Sequence, residues 1–206
     1  MDLKGNLVFV TGASAGIGAA TALAFAAEGA RLLLAARRSG KLAEVASEAL
    51  ARGASAVHSV HLDVRNRTAV QRTIDELPEE WAQIDVLVNN AGLSRGLDRL
   101  YTGKIEDWEE MIDTNVKGLL YVSRSVVPGM VVRGHGHVVN LGSTAGELAY
   151  PNGAVYCGSR CRLAMWRAIR RWKRWPGSCS RRNPRSFLIL LLMRPMRLSR
   201  SGRPVR

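Results

Sequence analysis

Glycines at positions 12, 16 and 18, placed between a short β-rich apolar run and an alanine-rich stretch, have the spacing needed to cradle a pyrophosphate. In Thr11-Gly12-Ala13-Ser14-Ala15-Gly16-Ile17-Gly18, Gly12 permits a tight turn. Gly16 and Gly18 let the backbone approach the anion and the next helix pack closely on the strand, with Ser14, Ala15 and Ile17 in the loop that leads to the positive helix N-terminus. A glycine triplet alone also fits a plain strand-to-helix turn, but this TGxxxGxG spacing is more specific than GxGxxG. A second apolar run ends in Ala35-Ala36-Arg37-Arg38. A carboxylate there would bond a ribose 2′-hydroxyl and repel a 2′-phosphate, whereas guanidiniums can clamp the phosphate, so NADP is favoured over NAD. Two arginines that start a helix and face water are the alternative. Asn90-Ala91-Gly92 follows a fourth apolar run, where it fits either cofactor contact or a simple turn.

These groups must be held by a scaffold, and the chain alternates short apolar runs with amphipathic stretches of helical length, the pattern of βαβ units. The expected fold is an α/β, Rossmann-like doubly wound parallel sheet in three αβα layers. Strands are expected at Leu7 to Thr11, Arg31 to Ala35, Ala56 to Leu62, Asp85 to Asn89 and His137 to Leu141. Helices are expected at Gly16 to Glu28, Gly40 to Ala51, Arg67 to Trp81, a short piece at Ile105 to Glu110 and a long one through Ile112 to Val132. Ser39 and Asn66 read as N-caps, and Gly29 and Gly53 as left-handed helix stops. His58 and His61 are expected on one face of the third strand; that would suit a metal, but a solvent-facing role is the plainer reading and no metal is required.

The glycine loop, Leu62-Asp63-Val64, Asn89-Asn90-Ala91-Gly92, Asn115, Ser143 and Tyr156 occur in an order and spacing that resemble the short-chain dehydrogenases/reductases. Asp63-Val64-Arg65-Asn66-Arg67, Leu77-Pro78-Glu79-Glu80-Trp81, Met111-Ile112-Asp113-Thr114-Asn115 and Gly142-Ser143-Thr144-Ala145-Gly146 look most like the NADP-dependent 3-hydroxy acid (serine or allo-threonine) dehydrogenases. The resemblance implies hydride transfer between NADP(H) and a carbonyl or secondary alcohol of a small-molecule substrate. It implies Tyr156 as acid/base, Ser143 as hydrogen-bond partner of the reacting oxygen and Asn115 as holder of a relay water. It also implies Asp63 at the adenine, with Val64 packed nearby, although a strand-end turn accounts for that pair as well. Members commonly pair through the long helix and the helix carrying the tyrosine, making dimers or tetramers; the first is intact here and the second is altered, which leaves homo-oligomer formation open.

Two departures follow. A free phenol has a pKa near about 10 and needs a neighbouring positive charge to work near neutrality; the family pattern supplies it as Tyr-x-x-x-Lys, and this chain reads Tyr156-Cys157-Gly158-Ser159-Arg160. Arginine keeps the charge but has a broader fork and cannot release a proton at working pH, so reduced or absent activity with cofactor binding retained is the alternative. Residues 1 to 156 hold 15 Lys+Arg against 17 Asp+Glu, whereas 157 to 206 hold 15 and none, so the formal charge of +13 belongs to the tail. The expected division is a cofactor-binding and catalytic core over 1–160 and an atypical basic tail over 161–206, suggestive of a shifted reading frame or an alternative terminus. Trp166, Trp172 and Trp175 among arginines could stack on bases, but a solvated tail is the plainer reading and nucleic acid is not the expected partner. Cys157, Cys161 and Cys179 read as free thiols, and neither leader nor membrane span is visible, so a cytoplasmic location without membrane association is expected.

Overall fold

The computed structural model describes residues 3–160. The Trp-Arg stretch, Pro176-Gly177, the apolar run Phe187 to Met193 and the tail unit 161–206 lie outside the described residues.

Five strands, β1 (Leu7–Thr11), β2 (Arg31–Ala36), β3 (Ala56–His61), β4 (Val86–Asn89) and β5 (His137–Asn140), form one parallel sheet in the order β3-β2-β1-β4-β5. β1 is apolar from Leu7 to Val10, ends in Thr11 and is wholly buried, as a central strand covered on both faces must be. Because side chains alternate along a strand, its residues divide between two cores. Val8 and Val10, with Leu32, Leu34, Val86 and Val88, pack beneath α1 (Gly16–Ala27) and α2 (Ser39–Ala51). Leu7 and Phe9, with Leu33 and Leu87, pack on the other face against side chains of α3 (Arg67–Asp75), α4 (Glu79–Ala82) and α6 (Leu119–Arg133), chiefly Val70, Trp81, Val122, Val126 and Met130. The sheet is therefore doubly wound in three layers, as its sequence pattern predicts.

Four local expectations are corrected. The α2 helix starts at Ser39 rather than being capped by it: the Arg38 carbonyl already accepts from the Leu42 amide at 3.0 Å, which puts Arg38 in the cap position and Ser39 inside. The expected helix from Arg67 to Trp81 is two helices, because Pro78 has no N–H and holds the residue before it out of helical geometry. The expected short and long helices are continuous: α5 (Ile105–Ile112) runs through a widened turn, Asp113–Gly118, into α6. His58 and His61 are three residues apart and so take opposite faces. His58 stacks at 5.3 Å on Trp81, whose ring also carries the Arg31 guanidinium at 4.7 Å, while His61 is exposed.

The expected cap at Asn66 is present, with its Oδ1 accepting from the Ala69 amide at 2.9 Å. Replacing Asn66 with Ala should lower stability by about 1 kcal/mol, read as a lower urea midpoint with an unchanged slope.

Candidate active site

Strand order reverses between β1 and β4, and in such sheets the crevice beyond the carboxyl ends of those two strands receives ligands. The two strand ends are locked together there. Thr11 Oγ1 accepts from the amides of Asn90 and Ala91, both at 3.1 Å, and donates to the Val88 carbonyl at 3.3 Å. The Asn90 side-chain amide donates to the carbonyls of Thr11 (2.9 Å) and Gly12 (3.1 Å). This clamp leaves no room for a side chain at Gly12, where φ is +66° and a Cβ would stand 2.9 Å from Ala91 Cα. Gly18 is more crowded still, against Gly12 O and the Asn90 amide. Gly16 instead faces open space. Ala15 is extended before α1, whose first turn has neither a side-chain cap nor an acidic residue, so its amide end is presented to an anion.

A cleft of about 680 Å³ runs past this loop. Ser14, Ala15, Ile17 and Gly18 line it with Gly12, and Asn90, Ala91 and Gly92 form the wall from β4. Arg37 and Arg38 close one end together with Asp63 and Val64. Arg38 donates through Nε and Nη2 to Ser14 Oγ at 3.3 and 3.1 Å, which sets a guanidinium and a hydroxyl side by side on the rim. Asp63 is gripped by Arg65 through Nε (2.9 Å to Oδ2) and Nη2 (2.6 Å to the same oxygen). Burial raises the Asp63 pKa, but the hydrogen bonds and charge of Arg65 outweigh it and hold the carboxyl below its ordinary value. Val64 is buried and lies where any side chain on Gly118 of the widened turn would strike it.

Tyr156 and Arg160 stand at the other end of the cleft, one turn apart on and just after α7 (Ala154–Ser159). Arg160 Nη1 donates to the Leu141 carbonyl at 2.9 Å, and its guanidinium lies against Gly92, where a Cβ would collide with it. Its buried Nε has no hydrogen-bond partner among the described residues. Burial pushes the guanidinium pKa below its usual value, opposed by the Tyr156 hydroxyl beside it. Asn115, in the widened turn, is fully buried behind the cleft wall. Its Oδ1 accepts from the Leu93 amide at 2.9 Å; its Nδ2 donates to the Leu93 carbonyl at 2.9 Å and to Ser159 Oγ at 3.0 Å. Ser143 follows the cleft-lining Gly142, and its Oγ accepts from the Ala145 amide at 3.2 Å, so its hydroxyl hydrogen remains to be donated. The expected cofactor and catalytic residues thus gather at one cleft, which all of them line except Gly16, Asn115 behind it and Ser143 beside it.

Residues 6–169 match the family model described as short chain dehydrogenase. The chain belongs to the short-chain dehydrogenase family. Within this family it is 46% identical over 150 residues to the NADP-dependent 3-hydroxy acid dehydrogenase YdfG of Shigella flexneri, a match covering 73% of this chain and 59% of that protein. The chain therefore spans about three fifths of the length of these curated relatives. Among solved structures, serine dehydrogenase from Escherichia coli superposes with a TM-score of 0.74 at 42% identity, covering 81% of this chain and 76% of that one. A closed serine dehydrogenase complexed with NADP+ gives 0.75 at 42% identity, covering 81% and 66%.

Sequence reasoning passed over three contributors. Thr11 stands inside the glycine motif, and its threonine hydroxyl at a strand end was the available signal. Arg65 lies within the Asp63-Val64-Arg65-Asn66-Arg67 run, where nothing in the sequence marks it as the partner of Asp63. Glu110 had no signal: it accepts from Arg65 (3.4 Å) and Arg95 (2.8 Å) and pairs with Arg37 at 3.6 Å, contacts set entirely by how α5 lies beside the cleft. Hydrogen bonding from Arg95, against a smaller effect of burial, holds the Glu110 carboxyl below its ordinary value. Carboxyls depressed in this way stabilise the fold in their ionised form, fully at neutral pH and progressively less as pH falls below the ordinary values of 3.8 for Asp63 and 4.5 for Glu110. The urea midpoint should accordingly drop between about pH 5 and pH 3, and a chain carrying Asp63→Asn and Glu110→Gln should show a shallower drop.

Proposed function

We propose that this chain binds NADP(H) along the cleft and transfers a hydride between it and a carbonyl or secondary alcohol, with a small 3-hydroxy acid as the substrate class and residues 1–160 as the catalytic unit. The observation that carries the reading is the single cleft that joins an anion-receptive glycine loop and two arginines at one end to a tyrosine beside a guanidinium at the other. The residues fit the cofactor. Gly16 leaves open space before an uncapped helix N-terminus, and Ser14 Oγ with Arg38 offers donors to a 2′-phosphate. The names of the NADP-dependent Shigella flexneri enzyme and the NADP+ complex of serine dehydrogenase support the same choice.

When bound, the reduced cofactor supplies the hydride. Tyr156 gives its hydroxyl proton to the oxygen that gains charge during reduction and takes it back during oxidation. The Arg160 guanidinium beside it favours the phenolate left behind. Ser143, whose Oγ is already anchored by the Ala145 amide, donates its hydrogen to the reacting oxygen. Asn115 acts through position: it ties the Leu93 backbone to Ser159 and so fixes the helix that carries Tyr156. Pairing of two copies through the Ile112 to Val132 helix, as in other members of the family, remains part of the proposal.

A second reading is favoured by Arg160 itself. The guanidinium is committed to the Leu141 carbonyl, abuts Gly92 and cannot release a proton, so the proton path stops at Tyr156 and the chain binds cofactor while turning over slowly. The two readings separate in one experiment, NADPH titration by fluorescence alongside turnover of small 3-hydroxy acids, in the parent chain and in Arg160→Lys. Binding of NADPH by both proteins is expected, with turnover rising by on the order of tenfold or more in the lysine variant. Absence of NADPH binding by the parent would overturn the cofactor reading. Equal turnover in the two proteins would show that position 160 does not limit catalysis.

A further inference from the structure

We infer that Glu110 sets how strongly this chain prefers a 2′-phosphorylated nucleotide, by competing with that phosphate for Arg37; this rests on the NADP reading above. Three guanidiniums converge on one carboxylate. Glu110, with its side chain 19% exposed, accepts from Arg95 Nε at 2.8 Å through Oε2 and from Arg65 Nη1 at 3.4 Å through Oε1. Arg37 Nη1 stands 3.6 Å from the same Oε1, and its side chain is 49% exposed. The three partners are not equivalent. Arg65 is held in place by Asp63, and Arg95 makes the shortest bond, whereas the Arg37 contact is an ion pair too long to orient the guanidinium. Arg37 is therefore the partner that an incoming phosphate can draw away. Glu110 loses little when it leaves, because two guanidiniums remain.

Arg37 and Asp63 both line the cleft, so the exchange takes place at its wall. The direction of the effect follows from the charges. A 2′-phosphate must win Arg37 from a carboxylate and must also sit near that carboxylate's negative charge; a 2′-hydroxyl meets neither obstacle to a comparable degree. Pre-organisation of Arg37 by Glu110 would act in the opposite sense, but a half-exposed contact at this length restrains the side chain weakly. Glu110 is thus a specificity-determining residue that moderates a preference created by the arginines. Through Arg95, which also lines the small pocket beside Tyr156, the same carboxylate anchors the loop after β4.

The test compares NADPH and NADH binding, read by nucleotide fluorescence, in the parent chain, Glu110→Gln, and Glu109→Gln. Glutamine at 110 keeps the shape and can still accept hydrogen bonds, so the fold should persist, which thermal unfolding checks. Glu109 is an exposed neighbour, and its variant removes the same formal charge without touching Arg37. Expected is NADPH binding roughly two- to fivefold tighter in Glu110→Gln, the range of a partly exposed ion pair, with NADH binding unchanged and no change for either nucleotide in Glu109→Gln. The gain should shrink when Arg37→Gln is also present, since the arginine at issue is then gone. Unchanged or weaker NADPH binding in Glu110→Gln, an equal gain in Glu109→Gln, or a gain that persists in full beside Arg37→Gln would each overturn the inference. A parent chain with no preference for NADPH over NADH would overturn the NADP reading, and the inference with it.

Discussion

Everything at this site depends on how two strand ends are fastened where the parallel ladder stops. Backbone groups at the carboxyl ends of β1 and β4 still need partners once regular pairing ends. Thr11 and Asn90 supply them: one hydroxyl serves three backbone groups, and one side-chain amide holds two successive carbonyls. The closeness that results excludes a Cβ at Gly12 and at Gly18. The glycine loop and the Asn-Ala-Gly run, 79 residues apart at Thr11 and Asn90, are therefore halves of one structural unit. Asn90 shapes the cleft by shaping the loop, which is a more specific task than the cofactor contact its position first suggests.

The strands were legible because burial on both faces is written locally as short apolar runs. Leu7 to Val10 is apolar at every position and forms the central strand, whereas β3, at the sheet edge, mixes alanine and valine with serine and histidine. What failed were choices between equal local options. Ser39 is a good cap residue, but Arg38 has its carbonyl in the helix already, and its side chain is drawn away to Ser14. The widened turn at Asp113–Gly118 carries no sequence signature either. It is accompanied by burial of Thr114 and Asn115 and by the close approach of Gly118 to Val64, all tertiary facts.

The site divides the same way. Motif residues fall together because their spacing encodes a strand, a turn and a helix start, and the fold brings each such edge to the same side of the sheet. Charge pairing has no such encoding. Glu110 is one acid among several in α5, and its partners at 37, 65 and 95 are picked out only by the way that helix leans over the cleft. Asn115 is an intermediate case: its position could be read, whereas its bonds to Leu93 and Ser159 could not.

The two ends of the cleft differ in what supports them, and that difference bears on Arg160. The end with Arg37 and Arg38 grows directly out of β2 and the central core, whose side chains are almost wholly buried. The end with Tyr156 rests on six helical residues fastened by side-chain hydrogen bonds: Asn115 to Ser159, Ser159 to the Tyr156 carbonyl, and Arg160 to the Leu141 carbonyl. Position 160 consequently has two tasks, to place a positive charge beside the phenol and to pin the helix end to the strand-end loop. An arginine meets the second through its fork and leaves one buried Nε–H without a partner among the described residues, a situation worth about 1–3 kcal/mol of lost stability in a fully desolvated setting. A lysine would trade the fork for an ammonium with three freely directed donors on a thinner stem, keeping the charge without the Nε–H that lacks a partner among the described residues. The placement of charge and the anchoring of Tyr156 are for this reason one problem, because the same guanidinium that stands beside the phenol also ties the end of its helix to the Leu141 carbonyl.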